Sequence, residues 1–337
     1  MRAFVLTGYG GPENTELRDM PKPMPGAGEV LVRVAAAGLN PVDWKIREGQ
    51  LRTVLRPDLP ATAGNELAGT VEAVGSAAKK FVVGDKVYAR TGKDALGAFA
   101  EYAVVDEDHL AAMPESLDFV EAAAIPLAAL TALQAIRDEL QVGQGFRLLI
   151  TGGAGGVGTF AIQIAKALGA HVITTASPRG RELVESLGAD EVVNYENVQF
   201  EDEIAPVDGA FDLVGGTTLS RCFEIVKKGG RVVSVAGMPE PRTARQDMDG
   251  GSALVALFWV ASAKYRMQAR LAGVDYRYLF MHPGGSELAE LARMVECGKL
   301  RPVIDSTYAF AEIADAMAEL ERGHAKGKIV VTMGGES

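Results

Sequence analysis

The stretch that most limits what this chain can fold into is Thr151-Gly152-Gly153-Ala154-Gly155-Gly156-Val157-Gly158. It follows an apolar run, Phe146 to Thr151, that reads as a buried strand, and it opens a periodic stretch, Gly156 to Leu168, that reads as a helix. Gly153, Gly155 and Gly158 carry the G-x-G-x-x-G spacing. The spacing alone is weak. Set between a strand and a helix, it is the arrangement whose backbone amides and helix dipole hold a pyrophosphate. The competing reading is a turn that is glycine-rich only for tight packing.

Strands and helices go on alternating beyond the turn: a strand at His171 to Thr175, a helix from Gly180 to Leu187, and strands at Ala210 to Val214 and Arg231 to Val235. That order predicts βαβ units and a doubly wound parallel sheet. An NAD-binding unit of this kind carries an acid at the end of its second strand for the ribose hydroxyls. Here the place reads Thr174-Thr175-Ala176-Ser177-Pro178-Arg179-Gly180-Arg181, with no carboxylate. Ser177, Arg179 and Arg181 suit a 2′-phosphate instead, because guanidinium forks pair with phosphate oxygens. Either arginine, taken singly, could equally be a solvated residue at a helix start.

From Val30 to about Tyr102 the chain is a series of short β-rich runs broken by Gly and Pro, which predicts a barrel-like region. Near Leu117 the texture turns to an alanine-rich helix over Ala122 to Ile136, with Ser116 as its candidate N-cap. The final strand, Lys328 to Val331, has no local partner and is expected to join the N-terminal β-rich region, making the nucleotide-binding part an insertion. A net charge of −10 argues against nucleic acid as a partner. The longest apolar stretch, Ala253 to Ala263, falls short of the roughly 20 residues that cross a bilayer, so no membrane partner is expected. The first residues do not read as a signal peptide, which predicts a cytoplasmic protein. Cys222 and Cys297 stand alone, and His109, His171, His282 and His324 lack ligand spacing; a metal site is not expected.

Several ordered motifs accompany the glycine turn: Gly38-Leu39-Asn40-Pro41-Val42-Asp43-Trp44-Lys45, Gly64-Asn65-Glu66-Leu67-Ala68-Gly69, Val83-Gly84-Asp85-Lys86-Val87, Ile125-Pro126-Leu127-Ala128-Ala129-Leu130-Thr131, Leu187-Gly188-Ala189-Asp190, Asn194-Tyr195 and Gly327-Lys328-Ile329-Val330-Val331. Over nearly its full length the chain resembles the medium-chain dehydrogenase/reductase superfamily, on its zinc-free quinone oxidoreductase and alkenal (enone) oxidoreductase branch. The resemblance implies a GroES-like β-rich catalytic domain in two sequence pieces, residues 1–122 and 266–337, around an inserted Rossmann domain at 123–265. Zinc-dependent relatives carry Cys where Asn40 stands and His where Asn65 stands, so alcohol oxidation on zinc is disfavoured.

The resemblance further implies an NADPH-dependent oxidoreductase that passes hydride to the activated double bond of an α,β-unsaturated carbonyl, or to a quinone, without metal. Asn40 resembles the family's residue near the nicotinamide, with an amide able to reach ribose or substrate oxygen. Lys45 is placed to stabilise a developing enolate, or else is a surface lysine. Trp44 and Tyr278 are candidate walls of the substrate pocket, or packing residues. Thr131 resembles the hydroxyl that meets the cofactor near its nicotinamide, and Tyr195 the tyrosine beside the 2′-phosphate. Gly153, Gly155, Gly156, Val157 and Gly158 complete the cofactor set. A homodimer is expected, with the apolar segment Ala253 to Trp259 serving either that interface or the core. Two other classes stay open: a catalytically idle NADPH-binding protein, and an enoyl-thioester reductase or alcohol dehydrogenase-like enzyme.

Overall fold

The structure is a computed structural model that describes residues 1–92 and 95–334. It divides into two compact units, Met1–Leu130 with His282–Ser337, and Thr131–Met281. The return to the first unit therefore comes later than the residue 266 expected from the sequence. Strand Asp275–Tyr278 is the cause: it pairs in parallel with Val226–Ser234 and so extends the second unit's sheet.

In the first unit a seven-stranded sheet runs in the order Ile304–Ala309, Lys328–Thr332, Glu29–Leu39, Glu66–Val74, Lys86–Arg90, Leu110–Ala112, with Tyr102–Asp106 also paired to Glu29–Leu39. The closing strand finds its partner here: Ile329 lies opposite Leu39 and Val330 opposite Gly38, antiparallel. A smaller sheet joins Thr15–Asp19, Arg2–Leu6 and Ala61–Thr62. Phe4, Val32, Leu67, Val87, Phe99 and Ile329 meet in the core, drawn from both sheets and from the closing strand. That apolar burial, at roughly 25 cal/mol per Å², helps fix the register of the closing strand, which also pairs in parallel with the preceding strand Ile304–Ala309, a local partner the sequence did not reveal.

The second unit is a six-stranded, all-parallel sheet in the order Glu191–Asn194, His171–Ala176, Arg147–Ile150, Val207–Asp212, Val226–Ser234, Asp275–Tyr278. Numbered within the unit this is 3-2-1-4-5-6, the doubly wound Rossmann order, with its switch point between Arg147–Ile150 and Val207–Asp212. The fold class expected from the sequence is the one observed.

The alanine-rich helix differs from expectation. Asp118, not Ser116, is its N-cap: Glu121 N donates to Asp118 Oδ1 at 2.8 Å, and Glu121 returns a carboxylate to Asp118 N. Ser116 instead donates from N and Oγ to Glu296. The helix is also broken, into Phe119–Ala123 and Pro126–Leu133, because Pro126 has no N–H to continue the ladder and its ring crowds the preceding turn. The segment left as core or interface, Ala253 to Trp259, lies in helix Ser252–Ala261, whose one buried residue is Phe258.

Candidate active site

The glycine turn sits at the C-terminal end of strand Arg147–Ile150, at the switch point, and each glycine answers to a different constraint. Gly152 has φ +70°, a left-handed conformation that favours glycine. A Cβ on Gly153 would stand 2.1 Å from Thr174 Oγ1, and one on Gly158 would stand 2.4 Å from Gly152 O. These two set the close approach of the turn to the neighbouring strand and of the helix to the turn. Gly155 is neither strained nor crowded: its φ is −77°, and a Cβ there meets only Gly152 O, at 3.4 Å. Packing gives no reason for glycine at this N-cap of helix Gly156–Ala167. A ligand approaching the helix N-terminus does, and the cradle fits a pyrophosphate.

Asp212, fully buried, braces the floor beneath the turn. Its carboxylate accepts from Thr151 Oγ1 at 3.1 Å, Ser234 Oγ at 2.7 Å and Gly215 N at 3.0 Å, tying together the ends of three strands. Thr175 Oγ1 accepts from Gly152 N at 2.9 Å, joining the turn to the second strand. That strand leads into helix Pro178–Ser186, with Ser177 as an N-cap whose side chain makes no capping bond. A Cβ on Gly180 would lie 2.9 Å from the Ala154 methyl, so the start of this helix packs directly on the glycine turn. Ser177 and Arg179 belong to this same helix start. Arg181 is turned along its own helix, donating to Glu185 at 3.0 Å and to Val192 O at 2.9 Å. Tyr195 is exposed just beyond strand Glu191–Asn194. Thr131 is buried, and burial pushes the Tyr278 phenol up to about 12.

In the first unit a second polar cluster forms around Asn40. Asn40 precedes Pro41, which starts helix Pro41–Arg47 with a pre-set φ and no orphan N–H. Asn40 N donates to Asp43 Oδ2 at 2.7 Å, and Asn65 Nδ2 donates to Asp43 Oδ1 at 2.6 Å. The Asn40 amide, expected to reach ribose or substrate, is held internally: Nδ2 donates to Glu66 Oε1 at 2.6 Å and Oδ1 accepts from Lys328 Nζ. Lys328 also donates to Glu66 Oε1 at 2.6 Å and to Leu39 O at 2.9 Å. Glu66 Oε2 takes the N–H of Leu127 at 2.6 Å. Lys328, only 3% exposed, was present in the closing motif but gave no sign of this role in the sequence, where a lysine opening an apolar strand reads as a solvated end.

This cluster does not fit zinc. Asn40 and Asn65 are weak neutral ligands, and the Lys328 ammonium already neutralises Glu66. Among the described residues no group of three His, Cys, Asp or Glu side chains could hold a metal ion. Lys45 stands outside the cluster. It is half-buried on helix Pro41–Arg47, its Nζ 5.7 Å from the centre of the Trp44 ring, and burial lowers its pKa below the usual lysine range. Trp44 packs partly against the first core.

Burial pushes the Asp43 carboxyl up to about 7, against the hydrogen bonds from Asn65 and Asn40. The folded chain thus holds this proton more tightly than the unfolded one. Stability from Asp43 is fully present below the ordinary carboxylate pKa, and is lost as pH rises from about 4 through about 7. Urea midpoints measured across that range should fall for the wild type, and fall less steeply for Asp43→Asn. Parallel slopes for the two proteins would place the titration elsewhere.

Comparison with known proteins bears on the family and the fold. Residues 26–115 match the family model described as alcohol dehydrogenase GroES-like domain, and residues 187–331 match that described as zinc-binding dehydrogenase. The chain is 36% identical to the NADPH-dependent alkenal/one oxidoreductase, chloroplastic, of Arabidopsis thaliana, over 98% of this chain and 79% of that one. It superposes on the quinone oxidoreductase from Coxiella burnetii with a TM-score of 0.86, at 33% identity over 99% of both chains. The Escherichia coli quinone oxidoreductase complexed with NADPH gives a TM-score of 0.82, at 25% identity over 99% of this chain and 100% of that one.

Proposed function

The chain belongs to the medium-chain dehydrogenase/reductase superfamily as a quinone oxidoreductase-like, NAD(P)H-dependent oxidoreductase, and from that premise we propose that it uses NADPH to reduce an α,β-unsaturated carbonyl or a quinone without a metal. The observation that supports this reading is the Asn40, Glu66 and Lys328 cluster, in which a buried ammonium already occupies the Asn40 amide oxygen and the Glu66 carboxylate. Alkoxide stabilisation by a Lewis acid has no ligand set here. An enolate or quinol oxyanion spreads its charge and needs only hydrogen bonds and a nearby ammonium.

The nicotinamide, when bound, supplies the hydride. Gly153, Gly155, Gly156, Val157 and Gly158 seat the pyrophosphate on the turn and the helix N-terminus. Ser177, Arg179 and Tyr195 hold the 2′-phosphate, joined by Arg181 once its guanidinium leaves Glu185 and Val192 O, and Thr131 meets the nicotinamide end. Lys45 meets the oxyanion; Asn40, clamped by Glu66 and Lys328, presents a fixed polar surface whose orientation costs nothing at the moment of reaction. Trp44, on the helix that carries Lys45, offers the substrate an apolar wall. Two copies pair through the open edge of strand Asp275–Tyr278, the outermost of the second sheet.

The test is NADPH oxidation with a panel of enones, quinones and saturated alcohols in the presence of a strong chelator. Turnover with enones or quinones, unaffected by chelation, is expected, with NADPH favoured over NADH. Arg179→Ala combined with Arg181→Ala should weaken NADPH by about tenfold or more while leaving NADH nearly unchanged, since only NADPH carries the phosphate. Oxidation of simple alcohols without enone or quinone reduction, or zinc-restored activity after chelation, would overturn the proposal.

A further inference from the structure

Asp212 is fully buried at the carboxyl end of strand Val207–Asp212, and among the described residues no lysine, arginine or histidine pairs with it. A buried carboxylate without a counter-ion is tolerable only where hydrogen-bond donors surround it. Four groups supply them: Thr151 Oγ1 at 3.1 Å and Val214 N at 3.2 Å on Oδ1, Ser234 Oγ at 2.7 Å on Oδ2, and Gly215 N at 3.0 and 3.1 Å on the two oxygens. The acid thereby fixes the direction in which two hydroxyls work. Thr151 donates to Asp212 and accepts from Leu213 N at 3.0 Å. Ser234 donates to Asp212 and accepts from Ala236 N at 3.1 Å and Gly237 N at 2.8 Å. A hydroxyl has one proton and two lone pairs, so a carboxylate that takes the proton leaves both lone pairs for the backbone.

The segments held in this way follow three adjacent strands, Arg147–Ile150, Val207–Asp212 and Val226–Ser234, and they touch one another. A Cβ on Gly152 would stand 3.3 Å from Val214 Cγ2, and one on Gly215, whose φ is +77°, would stand 2.3 Å from Ala236 O. The far end of the last loop is anchored separately by the Tyr276 phenol, which accepts from Met238 N at 3.1 Å and donates to Met238 O at 2.7 Å. Val214 and Met238 are nonetheless 55% and 48% exposed, so their backbone is fixed while their side chains stand open. In a doubly wound sheet the dinucleotide lies across the switch point. The first three strands serve its adenosine half, and the loops after the fourth and fifth belong to the nicotinamide half.

We propose that Asp212 is a positioning residue for the nicotinamide half of the cofactor: through the Ser234 hydroxyl it sets the 235–238 loop, and through Thr151, Val214 and Gly215 it locks the 213–215 loop to the glycine turn. The inference rests on the NAD(P)H-binding reading above and adds to it a division of labour within the second unit. Charge is required at this position, not shape alone. Every group facing the side chain is a donor, so an amide of the same size must turn its NH2 towards one of them. Val214 N and Gly215 N cannot reverse, so the amide oxygen stays with them and the NH2 faces Ser234 Oγ. The lone pairs of that hydroxyl already serve Ala236 and Gly237, and one of these N–H groups then loses its acceptor. Asp212→Asn thus loosens the nicotinamide-side loop, while the glycine turn keeps its own bond from Gly153 N to Thr175 O at 3.0 Å.

Full-length wild type, Asp212→Asn and Ser234→Ala are titrated with NADPH and, separately, with adenosine 2′,5′-bisphosphate, which carries the adenosine half alone. Both variants should bind NADPH about tenfold more weakly, the order of effect expected from loosening a hydrogen-bonded loop, and the bisphosphate within about twofold of wild type. Hydrogen exchange of the cofactor-free variants should be faster by about tenfold or more at Ala236 and Gly237, and unchanged at Gly153. Ser234→Ala leaves Asp212 its other donors, so it carries the test should Asp212→Asn fail to fold. A merely structural role would weaken both ligands alike, and that result would overturn the proposal. So would unchanged NADPH affinity in the variants, unchanged exchange at Ala236 and Gly237, or a wild type that binds NADPH and not the bisphosphate. A wild type that binds neither ligand would instead overturn the cofactor reading, and this inference with it.

Discussion

Lys328→Met is expected to lower the free energy of unfolding by about 3–5 kcal/mol, the usual consequence of removing one partner from a buried ion pair. Lys328 is 3% exposed and Glu66 fully buried, so water cannot replace the lost ammonium. The Glu66 carboxylate would keep only the N–H groups of Leu127 and Asn40, and Asp43, buried nearby, would lose a counter-charge as well. Adding Glu66→Gln removes the stranded charge while keeping an oxygen for Leu127 N, so the double variant should regain most of the loss. The measurement is urea unfolding of wild type, both single variants and the double. A loss below about 1 kcal/mol in Lys328→Met, or additive losses in the double, would show that the pair is not coupled.

The contrast between this cluster and the glycine turn explains what the sequence could reveal. The turn is local: strand, glycines and helix follow one another within about 20 residues, and the chemistry of phosphate binding is written in backbone groups that glycine spacing exposes. The same is true of the missing acid after strand His171–Ala176. The Asn40 cluster joins residues 288 positions apart, and Lys328 reaches Asn40 only because the closing strand pairs Ile329 with Leu39. Nothing in the local pattern carries that register; it is fixed by the burial of Ile329 and Val331 in the first core. Motif resemblance named Asn40 and quoted Lys328, yet the amide's internal use came from packing. The end of the insertion was misjudged for a related reason. Asp275-Tyr276-Arg277-Tyr278 has polar residues at alternate positions, and it becomes an outer strand because buried Arg277 is anchored by Glu139, Asp247 and Glu240, all distant in sequence.

Lys45→Met is expected to lower kcat by a factor on the order of 10² while the dissociation constant for NADPH stays unchanged. Methionine keeps the length and much of the apolar stem, so helix Pro41–Arg47 should be little disturbed and only the charge is lost. Among the described residues no carboxylate pairs with Lys45, in contrast to Lys328, and its half-buried position weakens competition from water for the ammonium. An oxyanion that carries full charge only as hydride arrives gains more from that ammonium than the neutral carbonyl does, so the loss should fall on kcat more than on KM. Lys45→Arg, which restores charge with a different donor geometry, should recover part of the rate. Equal losses in kcat and NADPH affinity would move Lys45 into the cofactor site, and unchanged turnover would remove it from the mechanism.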